Sequence, residues 1–437
     1  MDKLRIGIIV DEHYLPSSGG GFSYYRTLLR GLNAYNWNDQ IEIVNLVFDA
    51  ESLQHATLTQ PRLLVNKNYI YSAAYLYYKF LHGIAYTLGR QKFKKTWRLA
   101  ALRIARLRNR NTETILAANK IDLVYYLKPE ENYLNYPLIA THWDVGHRSM
   151  HAFPEVALNG NYEIREQYYT SALNKAFLII CESETGAEEL LRFYAMHAGK
   201  IKIMPIFSGD VVRQQVPETE QARILQKYHL HSRRFFLYPA QFWAHKNHYN
   251  LLQAFARLET DLPEQPLRLM LCGGDKGNMS YIREQIRALG LEDRVLLPGY
   301  VPDEELSVFY KHALALVMPT FLGPTNIPLL EAAELGCPVL CSNLEGHREI
   351  LQEAALYFDP ADAAGMCTCM QRVSNDEAFR QQLTAAGYRR VAASSFSIGK
   401  SLQLLEQTLL EAMPVRKTWG FNSRLLVYLA ACSILAA

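Results

Sequence analysis

The sequence predicts an α/β protein built from two doubly wound parallel-sheet domains in tandem. Three observations carry this expectation. Two series of short apolar runs alternate with amphipathic stretches, a glycine-rich loop follows the first run of the first series, and a lysine-bearing loop follows the first run of the second. A chain of 437 residues is also long for one core, and it divides naturally into halves of roughly 200 residues.

Residues 4–10 (LRIGIIV) have the apolar, β-branched character of a strand buried on both faces of a parallel sheet. After Ser18-Gly19-Gly20-Gly21, the residues Phe22, Tyr25, Leu28, Leu29 and Leu32 recur at helical spacing. This is a strand, glycine loop and helix. Three glycines exceed what a tight turn needs, so the loop suits a ligand that approaches bare backbone. Further strands are expected at 121–127, 137–141, 177–182 and 201–204, and the first domain closes near residue 215. The polar stretch 214–227 reads as a linker running into a helix.

In the second half, strands are expected at 235–240, 267–272, 295–297, 314–319, 338–342 and 356–358. Helices are expected between them at 248–258, 281–289, 303–312 and 328–335. A last helix over 396–411 is long enough to return to the first domain. The expected organisation is therefore a first domain over 1–215, a second over 228–392, and a returning helix with an apolar tail over 393–437.

One segment departs from the alternation. Residues 69–110 carry Tyr71, Tyr75, Tyr77, Tyr78 and Phe80, followed by Arg90, Lys92, Lys94, Lys95, Arg98, Arg103, Arg106, Arg108 and Arg110 with Phe93, Trp97 and Leu99 interleaved. A basic amphipathic helix with aromatic anchors suits an anionic membrane surface. A solvated helix that packs its apolar stripe on the domain explains the same pattern, and both readings stand. Nucleic acid is not expected as a partner, because the formal net charge is only +3 and no RNA-binding signature accompanies the basic series.

With 49% hydrophobic and 20% charged residues, the composition excludes a disordered chain. The seven cysteines are scattered and form no pair of CxxC knuckles, so free thiols are expected and a zinc site is not. The first residues run straight into a strand without signal-peptide features, and no stretch reaches the ~18 apolar residues of a membrane span. The expected location is the cytoplasm, peripheral at the inner face of the membrane. The short apolar run 425–437 is expected to pack or to lie at an interface.

Two loops of the second domain carry the chemistry. Lys246 follows the strand at 235–240 and precedes a helix, at the strand end where open α/β sheets bind ligands. The second loop, Thr320-Phe321-Leu322-Gly323-Pro324-Thr325-Asn326-Ile327, ends where Pro328 suits a helical first turn. Unpaired N–H groups there make Thr325, Asn326 and Ile327 a phosphate cradle. Glu331 follows in the first turn of that helix. It either accepts the hydroxyls of a ribose or merely complements the helix dipole, and the residues alone leave both open.

These blocks resemble the retaining family 4, or group 1, glycosyltransferases of the GT-B fold, over nearly the whole chain to about residue 411. The family's G-R-x4-K motif is matched by Ala240, Gln241 and His245-Lys246-Asn247, so the resemblance makes Lys246 a diphosphate-binding cation and leaves Gln241 a neutral hydrogen-bonding group in place of the arginine. In the E-x7-E motif Gly323 stands in place of the first glutamate, and Glu331 matches the second, which implies that it holds the donor ribose. Gly273-Gly274-Asp275, 295–302, Gly336-Cys337-Pro338-Val339 and Gly346-His347-Arg348-Glu349-Ile350 continue the likeness, with Gly274 on the donor side. In the first domain Gly19, Gly20 and Gly21 occupy the family's glycine loop. Thr141-His142-Trp143-Asp144-Val145-Gly146-His147 resembles its H-D-x-x-H region, so His142 and Asp144 are expected to meet the transferred sugar, a structural histidine being the other reading. Glu182-Ser183-Glu184-Thr185 resembles the S-E-x-S turn, for which helix capping is a sufficient explanation.

The resemblance implies metal-independent transfer with retention, from a nucleotide sugar that is a substrate rather than a cofactor, to a glycan or lipid-linked acceptor in surface polysaccharide synthesis. Two other readings are a nucleotide-sugar epimerase on the same fold and a non-catalytic donor-binding subunit of a polysaccharide assembly complex.

Overall fold

The computed structural model describes residues 3–15, 19–49, 58–87, 94–130, 133–261, 266–393 and 396–418. Ser18 of the glycine loop, Arg90, Lys92 and Phe93 of the basic segment, Cys432 and the tail 425–437 lie outside these residues. Two parallel sheets account for the described strands. The first holds β1 (Leu4–Ile9), β2 (Ile41–Val47), β3 (Arg62–Leu64), β4 (Leu123–Tyr125), β5 (Leu138–His142), β6 (Leu178–Cys181) and β7 (Ile201–Ile203), in the order β3-β2-β1-β4-β5-β6-β7. The second holds β8 (Phe235–Pro239), β9 (Arg268–Cys272), β10 (Val295–Gly299), β11 (Ala315–Met318), β12 (Val339–Ser342) and β13 (Ala355–Phe358), in the order β10-β9-β8-β11-β12-β13. In each sheet the strand order reverses beside the first strand, between β1 and β4 and between β8 and β11. The central strands read as continuous apolar runs because helices cover both faces.

The helices of the first domain are α1 (Gly20–Ala34), α2 (Ala73–Thr87), α3 (Lys94–Ala118), α4 (Gly146–Ser149), α5 (Pro154–Ala157), α6 (Asn161–Gln167) and α7 (Glu184–Phe193). Those that follow are α8 (Glu218–Lys227), α9 (His248–Asp261), α10 (Met279–Ala288), α11 (Asp303–His312), α12 (Ile327–Glu334), α13 (Glu345–Leu351), α14 (Ala363–Asn375), α15 (Glu377–Ala393) and α16 (Ile398–Lys417). The last of these does return. Leu402, Leu405 and Leu409 are buried along one face of α16. Ser401 Oγ donates to the carbonyl of Pro205 (2.7 Å), and Arg416 Nε donates to the carbonyl of Asp122 (2.9 Å). Gly31 on α1 permits the approach, since a Cβ there would lie 2.7 Å from the Ile398 side chain.

Two sequence expectations are corrected. The pattern 69–110 is not one basic helix with aromatic anchors: the aromatics lie on α2 and the segment before it, the described basic residues from Lys94 onward lie on α3, and the two helices pack together. Nor does the segment stand outside the alternation. The end of α3 buries Thr112 and Leu116 and forms the crossover from β3 to β4. The strands β2 and β3 were not anticipated. In β2 the apolar run is broken by Glu42, which pairs with Arg5 (2.9 Å), and by Asn45, whose amide exchanges hydrogen bonds with Asn33 (2.8 and 3.1 Å) in the core.

Candidate active site

The sheet order places the two loops singled out above side by side. The β8–α9 loop and the β11–α12 loop leave the carboxyl ends of neighbouring strands, where the crossovers diverge and open a crevice. Opposite them, the β1–α1 loop and the ends of β5 and β6 form the first-domain wall. Between the walls lies a cavity of about 450 Å³.

Lys246 projects into this cavity, and its Nζ donates to Asn326 Oδ1 (3.1 Å) although 80 residues separate them. Burial is the main influence on the ammonium and lowers its pKa to about 8, with Asp144 and Glu155 opposing. Asn326 is the N-cap residue of α12, yet its side chain makes no cap hydrogen bond. Its amide nitrogen instead faces His347 Nε2 (2.9 Å), and His347 Nδ1 faces the carbonyl of Ser342 (2.8 Å). Only one proton arrangement satisfies this chain. His347 donates from Nδ1 and accepts at Nε2, so Asn326 must turn its oxygen to the lysine. Burial keeps His347 neutral by lowering its pKa to about 4. At the start of α12 Pro328 has no N–H and Leu329 donates to the carbonyl of Asn326 (3.1 Å), so an anion there would rest on the N–H of Ile327, which lines the cavity.

Glu331 lies just past the first turn of α12, is 4% exposed, and lines the same cavity. It accepts hydrogen bonds from the Tyr310 hydroxyl (2.9 Å) and from the Gly209 backbone. Burial outweighs both and raises its pKa to about 7.

On the opposite wall, Gly19, Gly20 and Gly21 all line the cavity, and Gly20 and Gly21 form the first turn of α1, which has no side-chain cap. A Cβ at Gly19 (φ +71°) would lie 2.8 Å from the Gln241 side chain, so the two domains meet there only because no side chain intervenes. Gln241 accepts from Trp243 Nε1 (2.9 Å). Gly274 also lines the cavity, and nothing stands within 4 Å of a Cβ built on it.

The H-D-x-x-H region divides. Asp144 lines the cavity, but its carboxylate is paired with Arg165 and accepts from the Gly146 N–H (2.7 Å). Burial alone would raise its pKa, and these partners overcome that and bring it to about 2. His142 does not line the cavity. It ends β5 between β4 and β6, is 1% exposed, and its Nδ1 lies 3.1 Å from the Tyr169 hydroxyl. His142 is thus held in the core at the end of β5, and burial lowers its pKa to about 4.

Sequence reasoning passed over several groups. Ser183 caps α7, accepting from the Gly186 N–H (3.0 Å) as the motif suggests, but its neighbour Glu182 lines the cavity and accepts from Thr325 Oγ1 across it (2.7 Å). A charged residue at the carboxyl end of a buried strand was the available signal. Glu349 reaches from α13 to the start of α7, accepting from the N–H groups of Glu184 and Thr185 (both 2.9 Å).

Two doubly wound domains whose strand ends face one cleft, with uncapped helix starts on both sides and a cation and a carboxyl on one, define a GT-B protein. Residues 220–390 match the family described as glycosyl transferases group 1. The match falls on the second domain of this chain. O-antigen chain mannosyltransferase B of Escherichia coli is 29% identical over 242 residues, which cover 55% of this chain and 62% of that protein. The chain thus spans less than two thirds of the length of the curated relatives it matches. Sucrose-phosphate synthase from Thermosynechococcus elongatus shares the fold with a TM-score of 0.66 at 21% identity, over 94% of this chain and 100% of that one. The Anabaena protein HepE, solved in complex with UDP and glucose, does so with a TM-score of 0.61 at 16% identity, over 93% and 100%. Among the described residues no helix is long and apolar enough to cross a membrane.

Proposed function

We propose that this chain transfers a hexose from a nucleotide-diphosphate sugar, GDP-mannose or a UDP- or dTDP-sugar, to a glycan or lipid-linked oligosaccharide during surface polysaccharide synthesis. The transfer proceeds with retention of configuration and without a metal. The observation that carries this reading is the meeting of Lys246 with Asn326 at the uncapped start of α12, with Glu331 farther along the same helix. The donor diphosphate lies against the ammonium and the helix start, and Glu331 accepts the ribose hydroxyls. As the bond from the anomeric carbon to the diphosphate oxygen breaks, the charge that builds on the leaving group meets a cation and a dipole already in place. The acceptor hydroxyl enters from the first-domain side, on the face the diphosphate leaves. The name of the E. coli relative, an O-antigen mannosyltransferase, favours mannose and this class of acceptor.

The α2–α3 pair holds the enzyme at an anionic bilayer. Tyr71, Tyr77 and Phe80 are exposed on and before α2, and α2 packs against α3, which carries Arg103, Arg106, Arg108 and Arg110, a combination that suits the headgroup boundary.

The test is turnover by the purified chain with each donor, with and without acceptor. Acceptor-dependent release of the nucleoside diphosphate is expected, and it should be lost in Lys246→Ala and Glu331→Ala variants that stay folded. Sugar inversion by donor alone, or full activity in either variant, overturns the reading.

A further inference from the structure

The turn before α12 lacks a carboxylate at Gly323, and its backbone explains why none fits. Gly323 has φ +121°, and a Cβ there would lie 2.9 Å from Asn326 Nδ2 and 3.1 Å from the Thr325 carbonyl oxygen. The carboxyl this turn does meet comes from the other domain. Glu182 follows β6, is 7% exposed, lines the cavity and holds Thr325 Oγ1 through Oε2 at 2.7 Å. Its Oε1 has no hydrogen-bond partner among the described residues. Burial raises the Glu182 pKa to about 8 against the pull of Thr325, with Asp144 adding to the rise, so near neutrality the group carries a proton it can donate.

The order of groups matters as much as their chemistry. Along α12 and the turn before it come Glu331, then the helix start with Lys246 beside Asn326, then Thr325 with Glu182. A nucleotide sugar presents ribose, diphosphate and hexose in that order. Resting on the reading of this cleft as a nucleotide-sugar site, we propose that Glu182 binds hydroxyl groups of the transferred hexose from the domain opposite the nucleotide. It takes over the sugar contact that the turn itself cannot make. Recognition of the sugar then also requires the two domains to be together, because the carboxyl and the hydroxyl it holds belong to different ones.

Isothermal titration with GDP-mannose, UDP-glucose and dTDP-glucose, each against its free nucleoside diphosphate, tests this. For whichever pair the native protein binds, Glu182→Ala should weaken the sugar nucleotide by about tenfold to a hundredfold and the free diphosphate by less than about twofold. Lys246→Ala should weaken both members. Glu182→Gln is nearly isosteric, still accepts from Thr325 and still donates, so it should stay within about tenfold of native on the sugar nucleotide and guards against a folding defect in the alanine variant. Equal loss on both members of the pair, or loss on neither, overturns the role of Glu182 while leaving the nucleotide site intact. Failure of the native protein to bind any of the six ligands overturns the nucleotide-sugar reading and this inference with it.

Discussion

At the scale of single residues, the cleft sets groups in protonation states that binding must use. Lys246 loses its proton as pH rises through about 8, so affinity for a nucleoside diphosphate should fall above that pH, and Lys246→Ala should remove the dependence. Titration calorimetry between pH 6.5 and 9.5 checks this. Glu331 presents a second sign. Its folded pKa, about 7 against an ordinary 4.5, means that the folded protein holds this proton more tightly than the unfolded chain. The contribution to stability is present in full below about pH 4.5 and is lost as pH rises through 7, so at pH 8 the ionised group is a net cost on the order of 3 kcal/mol. Glu331→Gln should therefore melt higher than the native protein at pH 8 and match it near pH 4.5, while binding nucleotide more weakly. A melting temperature that does not rise at pH 8 would contradict the assignment. Lys246 and Glu331 were legible in the sequence because each sits at a fixed offset from a strand end or helix start. Glu182 was not, because its partner lies 143 residues away and no local pattern marks the pairing.

At the scale of elements, the anion site proposed at the start of α12 depends on a cap residue whose side chain is drawn elsewhere. The path from Ser342 through His347 and Asn326 to Lys246 joins the end of β12, α13, α12 and the β8–α9 loop. His347→Phe keeps a ring but removes both hydrogen bonds, freeing Asn326 to rotate. Nucleoside diphosphate affinity should drop about tenfold, the value of one hydrogen bond to a charged group. Unchanged affinity would show that the lysine needs no such support. The strands flanking these loops were readable because they are buried on both faces and carry no polar interruption. Strand β2 was not, since Asn45 lies within it and is satisfied by groups distant in sequence, Asn33 of α1 and the carbonyl of Gln60 (3.1 Å). The α2–α3 pair failed to read for a similar reason: composition shows that aromatic and basic residues adjoin, but not that they lie on two helices packed together.

At the scale of the whole molecule, the two domains touch through side chains that each cap or pair with the other. Glu349 closes the start of α7, Glu155 accepts from the His245 N–H (2.8 Å), and Glu182 holds Thr325. Glu349→Ala removes the acceptor for two backbone N–H groups in the first domain, so the domains should separate more readily. Small-angle scattering without nucleotide should give a larger radius of gyration than the native protein, and saturating nucleotide should restore it. On the outer surface, the α2–α3 pair should bind vesicles rich in anionic lipid at low salt and release them as salt rises, and replacing Tyr77 and Phe80 with serine should weaken that binding. No sedimentation with such vesicles at low ionic strength would dismiss the bilayer as a partner. The returning helix has its own consequence for synthesis. Because α16 packs on α1 and sends Arg416 to a carbonyl beside β4, the earlier lobe is finished by a stretch that the ribosome makes after both lobes. Nascent chains stalled before residue 398 should thus carry a protease-resistant later lobe and a digestible earlier one, reversing the usual order in which a growing polypeptide matures.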